Sequence, residues 1–284
     1  MVRNKFTALD KINLFISIYG RLFTAIFRIS WWSPFFYLAL AQLAGFAGLL
    51  WFYLPGWIHI IQPILRIFLP EKAFHFPQYY FVFPGLYSVY ENFILGPTLW
   101  VLLSATAVIK IGGFYSRKKL SFGYSFRMAR TAYLPLLGAW FIETIIVYAI
   151  LSIPSLLMKS LIYGSPNMSA AVSLVMQSLA LVVSSAMLYT IPGIVLDNKK
   201  LGEALLDSIG MFFSNFFLTY FIIFIPNFIR IILNILLADY APQIILNLNP
   251  ELIPLMLLCE FILGIFINLF IYSAAVFVYR EMND

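Results

Sequence analysis

A single cysteine, Cys259, and two histidines, His59 and His75, stand in 284 residues. One cysteine excludes an intramolecular disulfide and a Cys-based metal cluster. The two histidines have no carboxylate or cysteine cluster around them, so no metal, haem or other cofactor is expected. A Walker A loop, a dinucleotide glycine fingerprint, HExxH and GxSxG are all missing, which points away from an enzyme. Charge is scarce too, at 11% of residues against 62% hydrophobic, and the charged share is about half the usual one. That balance excludes a water-soluble globule and predicts an all-α polytopic membrane protein.

What is present is apolar length. Six stretches, 34–54, 93–112, 134–154, 170–192, 216–238 and 253–276, are long and apolar enough to cross a bilayer. They predict one membrane domain over 1–284, built as three transmembrane hairpins. In the first span Ala41, Ala44, Gly45 and Gly48 form small-xxx-small pairs, which let another helix approach closely. Pro34 and Pro135 stand at span starts, where a missing N–H costs little.

Fourteen of the 18 Lys and Arg residues fall on the side that holds both termini. By the positive-inside rule both termini are expected in the cytoplasm. The basic excess is then a property of one membrane face. Its expected partner is anionic lipid headgroups, through Arg21, Arg28, Arg117, Lys118, Lys119, Arg127 and Arg130; nucleic acid is not needed.

Residues 1–33 read as an amphipathic helix rather than a signal peptide, because Arg21 and Arg28 interrupt the apolar stretch. Phe6, Leu9, Ile12, Ile16, Tyr19, Phe23 and Ile26 form its apolar stripe. Similar helices precede span three, where Arg127 and Arg130 lie beside Phe122, Phe126 and Tyr133, and span five, where Leu201, Leu205, Ile209 and Phe212 share a stripe. The chain therefore reads as three units, each an interfacial helix followed by a hairpin. Residues 55–92 depart from that plan. Their prolines and aromatics predict short interfacial pieces forming an aromatic belt or a partner-docking surface that includes Trp57, Phe74, Phe76, Tyr79, Tyr80, Phe81 and Phe83.

Three ionisable residues fall inside the spans: Glu143, Arg230 and Glu260. Charge in hydrocarbon is costly and normally faces the protein interior or a water-filled cavity. Arg230 and Glu260 lie at similar depth, roughly 10 Å below the outer boundary at 1.5 Å per residue, and are placed to pair. Asn227, Arg230 and Asn234 share one face of span five, Glu260 and Asn268 one face of span six, and Gln177 is expected at the same depth. Either this group is a structural pair that fixes helix register, or it lines a substrate or proton pathway. Glu143 has no basic residue at its expected depth and reads as a neutral hydrogen-bond donor or a proton-linked switch.

The stretch IPGIVLDNKKLGEALLDSIGMFFSNFFLTYFIIF, Ile191 to Phe224, resembles part of a family of prokaryotic six-span proteins in which an amphipathic helix precedes every odd span. Similar domains are fused to some glycerophosphodiester phosphodiesterases. The resemblance implies a six-helix bundle in a bacterial or archaeal plasma membrane and brings no catalytic residue.

The sequence-level expectation is a non-enzymatic accessory or scaffold subunit that docks with other membrane subunits. The alternative is a transporter or lipid-handling protein built around Glu143, Arg230 and Glu260. Cavity geometry separates them. A void of water or lipid size reaching Glu143 favours transport, and an Arg230–Glu260 pair packed without a void favours the scaffold.

Overall fold

In hydrocarbon every backbone N–H and C=O must be paired within its own segment or by neighbouring protein, which makes the helix the favoured conformation. The computed structural model describes residues 13–21, 27–51, 55–157 and 165–283, and among these every regular element is helical. In chain order they are α1 (13–21), α2 (Ile29–Leu50), α3 (Pro55–Phe68), a 3₁₀ turn (Glu71–Phe74), α4 (Tyr79–Val89), a π segment (Tyr90–Trp100), α5 (Val101–Tyr115), α6 (Phe122–Thr131), α7 (Tyr133–Leu157), α8 (Pro166–Met187), α9 (Thr190–Leu196), α10 (Leu201–Ser214), α11 (Phe216–Asp239), α12 (Ala241–Asn247) and α13 (Leu252–Asn283). The fold is all-α, and among the described residues six stretches are long and apolar enough to span a membrane: 31–50, 79–115, 133–154, 167–196, 216–239 and 252–282.

The second of these differs most from expectation. The sequence places its start at residue 93, after an outer aromatic segment, whereas the helix begins at Tyr79 and runs through Pro84 and Pro97 to Tyr115. Pro84 is only the sixth residue of α4, so its missing N–H removes a single bond near the helix start. Around Pro97 the helix widens into the π segment. The Thr98 hydroxyl donates to the Ile94 carbonyl at 2.5 Å, and the Tyr133 hydroxyl donates to the Pro97 carbonyl at 2.9 Å. Neighbouring side chains thus supply bonds to the local carbonyls.

α13 is the central element. Its Ile253, Leu257 and Phe261 join a cluster with Phe46, Tyr79, Phe83 and Tyr87. Further along, Leu269 and Val276 join a second cluster with Phe35 and Ala105, and Ala274, Ala275 and Val278 a third with Ile18, Tyr189 and Ile222. α2 packs against α13 and against the π segment, and the second contact tests its small-residue face. A Cβ on Gly45 would lie 2.0 Å from the Tyr90 ring, whose hydroxyl donates to the Ala41 carbonyl at 2.7 Å. Gly48 is buried, Ala41 and Gly45 are half-buried and Ala44 is exposed, so Ala44 lies off the packed face.

The expected repeat of an interfacial helix before a span is present twice in full. α5 ends at Tyr115, Arg117 takes a positive φ of 56°, and the Lys118 N–H donates to the Gly113 carbonyl at 2.8 Å. α9 ends at Leu196, Asn198 takes φ 54°, and the Lys199 N–H donates to the Gly193 carbonyl at 3.1 Å. Each left-handed residue turns the chain back. Ser121 then caps α6 by accepting from the Tyr124 N–H at 3.3 Å, and Glu203 opens α10 by accepting from the Lys200 N–H at 3.4 Å. α1 supplies Ile16, Tyr19 and Arg21 of the third interfacial helix; Phe6, Leu9, Ile12, Phe23 and Ile26 lie outside the described residues.

Candidate functional site

Arg230 lies fifteenth in α11, about 21 Å along that helix at 1.5 Å per residue. Its Nε donates to Glu260 Oε1 at 2.7 Å, which is the pair expected from depth. A second carboxylate, Glu91, which falls within the outer segment expected from sequence, sits 3.7 Å from the same guanidinium. Gln42 of α2 donates to Glu91 Oε1 at 2.6 Å. One guanidinium therefore serves two carboxylates, with the Gln42 amide as a further donor.

The placement of Glu91 follows from helix geometry. Tyr79, Phe83 and Tyr87 recur every four residues and are all buried, and the next position of that stripe is Glu91. Read as a loop, the segment conceals this spacing. Read as a helix through Pro84, it directs Glu91 to the interior. The neighbouring Tyr87 hydroxyl is buried without a hydrogen-bond partner among the described residues.

On the side of Arg230 toward α7 the packing opens. A cavity of about 260 Å³ lies between α5, α7, α8, α11 and α13, and a second of about 390 Å³ lies between the π segment, α7 and α11. Trp100, Trp140, Glu143, Ser184 and Arg230 line both. Room for Trp140 comes from Gly96, where a Cβ would lie 2.7 Å from the indole. Glu143, expected alone at its depth, thus shares a void with Arg230. Ser184 of α8 lines the same space beside it, whereas Arg230 is held by Glu260 and Glu91.

The inner cavity also reaches Asn227, Asn268 and Thr190. Thr190 is 1% exposed and its hydroxyl has no hydrogen-bond partner among the described residues. A buried donor of this kind ordinarily finds a partner, and its absence here is a local cost of the helix break before α9. Gln177 and Asn234 are half-buried and do not line either cavity. Asn234 is one turn beyond Arg230 along α11, and α8 presents Ser184, about two turns past Gln177, at the level of Glu143.

The aromatic residues of 74–83 divide between inside and outside. Tyr79 and Phe83 are core, with the Tyr79 hydroxyl donating to the Leu49 carbonyl at 2.5 Å. Their expected place on a docking surface is corrected, because they belong to a spanning helix. Phe74 and Tyr80 pack on the same cluster. Phe76 and Phe81 remain outward, at 70% and 41% exposure, and the Trp57 side chain lies outside the described residues. The basic set divides likewise. Arg117, Lys118, Lys119, Arg127 and Arg130 are exposed. Arg21 lies 3.7 Å from Glu281 and over the Phe277 ring, and Arg28 lies over Phe114.

A further cluster had no signal in helical spacing, because it joins distant segments. Tyr279 donates to Asp197 at 2.5 Å, and Lys199 reaches the Tyr279 hydroxyl at 3.1 Å and Asp207 at 3.0 Å. Partial burial works against the Lys199 charge, but the hydrogen bonds of Tyr279 and Asp207 outweigh it and hold its pKa above the ordinary lysine range. The cluster ties the α9–α10 turn to α13. A Tyr279→Phe change should cost about 1.5–3 kcal/mol, the loss of hydrogen bonds to charged partners, read as a lowered thermal midpoint of the solubilised protein. An unchanged midpoint would show the tie to be idle.

Compared with protein-family models, curated proteins and solved structures, the chain finds no match.

Proposed function

We propose that the protein is a transporter or lipid-handling protein of the plasma membrane, in which a polar solute or headgroup occupies the cavities around Glu143 and Arg230. The observation that carries this reading is the void itself, which joins Glu143 to the Arg230 cluster. A scaffold has no use for an open polar space in hydrocarbon, since filling it with apolar side chains would gain packing and remove desolvation cost. The positive-inside count supports a cytoplasmic side for both termini. The exposed residues Arg117, Lys118, Lys119, Arg127 and Arg130 then meet anionic headgroups on that face. Outward Phe76 and Phe81 favour the second reading, contact with another membrane subunit.

Accessibility tests the cavity directly. Cys259 is the single cysteine, so a Cys259→Ala background carries no thiol. In that background Ser184→Cys should react with a small water-soluble methanethiosulfonate, while Ser273→Cys, buried at 1% exposure away from the cavities, should not. Failure of Ser184→Cys to react in a folded protein would overturn the reading.

A further inference from the structure

α7 is the least enclosed of the six spans, with 11% of its apolar window buried against 67% for the span containing α4 and α5. Its outer surface and the π segment form a groove of about 850 Å³ lined mainly by apolar side chains, among them Phe93, Pro97, Leu137 and Phe141. That volume is within the range of roughly 300–1,000 Å³ typical of ligand sites. The groove is not separate from the polar space. Trp140, Thr144 and Tyr148 line both the groove and the outer polar cavity. At i, i+4 and i+8 they form one spine along α7, so the partition between membrane-facing groove and polar interior is a single row of side chains.

The two compartments differ in chemistry in a way that one kind of molecule satisfies. The groove offers hydrocarbon. The interior offers Glu143 together with Trp100 and Trp140, a carboxyl group beside two indole rings; an arriving cation favours the ionised form of that carboxyl, and carboxylate and indole together hold organic ammonium ions by charge and by cation–π attraction. With Glu91, Glu143 and Glu260 set against one guanidinium, acidic groups outnumber basic ones. Arg230 is already engaged by two carboxylates, so it is a poor receptor for an anionic head.

We propose that groove and cavity form one bipartite site for an amphiphilic cation, its ammonium head between Glu143, Trp100 and Trp140 and its alkyl chain along the α7 groove. This rests on the reading of the polar cavity as a solute site and adds its substrate class and its side entrance from the membrane.

The test uses the full chain in nanodiscs of zwitterionic lipid, with empty discs correcting for partitioning and tryptophan fluorescence as the signal. The probes are dodecyltrimethylammonium, tetramethylammonium and dodecyl sulfate. Dodecyltrimethylammonium should bind saturably, at least about tenfold more tightly than either of the others; a factor of ten is about 1.4 kcal/mol. Glu143→Gln should weaken both ammonium probes about tenfold. Ala149→Phe, which fills the groove, should weaken only the long-chain one. If tetramethylammonium binds as tightly as its dodecyl counterpart and depends on Glu143, the bipartite site is overturned and the cavity reading survives. If dodecyl sulfate binds as tightly as the ammonium amphiphile, the cationic head is overturned. If no probe saturates, the inference falls; reaction of Ser184→Cys then still upholds the cavity, and failure to react removes both.

Discussion

Arg230→Gln should destabilise the protein by about 3–5 kcal/mol, the usual cost of stripping one partner from a buried ion pair. The change removes the cation that holds Glu260 at 2.7 Å and Glu91 at 3.7 Å and leaves the two carboxylates facing one another. A lost interhelical hydrogen bond alone would cost far less, on average about 0.6 kcal/mol in a membrane protein, so the uncompensated charge dominates. Adding Glu91→Gln and Glu260→Gln to the same chain should recover most of the loss, because the triple variant buries amides instead of anions. Thermal unfolding of the three proteins in one mild detergent decides the matter. A single variant as stable as the parent, or a triple variant less stable than the single, would mean that charge compensation is not what Arg230 supplies.

Gly45→Leu should be the most damaging change in α2. A Cβ there meets the Tyr90 ring at 2.0 to 2.6 Å, which no rotamer adjustment of the tyrosine absorbs while its hydroxyl stays on the Ala41 carbonyl. Overpacking typically costs 1–3 kcal/mol and the lost hydrogen bond about 1 more, so a loss of about 3 kcal/mol is expected. Ala44→Leu, one residue away on the exposed side, is the control and should leave the midpoint in place. Tyr90 opens the π segment next to Glu91, so Gly45→Leu should also reduce ammonium binding, whereas a midpoint shift equal to that of Ala44→Leu would refute the close approach.

How much of this was legible in the sequence depended on whether local spacing carried the information. The spans at 133–154, 216–239 and 252–282 follow from apolar length with small differences at the ends. The Arg230–Glu260 pair follows from counting depth from two span ends. Interfacial helices before α7 and α11 follow from amphipathic spacing. Glu91 and the aromatic stripe leading to it were hidden because Pro77 and Pro84 read as breaks, although a proline near a helix start removes only one bond. Asn234 and Gln177 share faces with cavity residues but miss the cavity by one or two turns, since a helical face fixes direction and not height. The Tyr279–Asp197–Lys199 tie joins residues about eighty positions apart, which no periodicity reports. The interruption between α8 and α9 is of the same kind. There the Tyr189 N–H donates to the Ser208 hydroxyl at 3.1 Å, and that hydroxyl donates to the Ala186 carbonyl at 2.7 Å, so a side chain from α10 makes a buried helix break tolerable.

α13 has 32 residues and is about 48 Å long at 1.5 Å per residue, while the hydrocarbon core of a bilayer is about 30 Å thick. Such mismatch is met by tilt, by protrusion or by local thickening of the membrane. In this protein the helix is not free to choose among them, because Ile253 to Phe261 and Ala274 to Val278 are keyed into different packing clusters. A bilayer thinner than the helix therefore meets α13 and the helices packed on it as one body, so tilt or protrusion is shared by the whole bundle, the Arg230–Glu260 pair included.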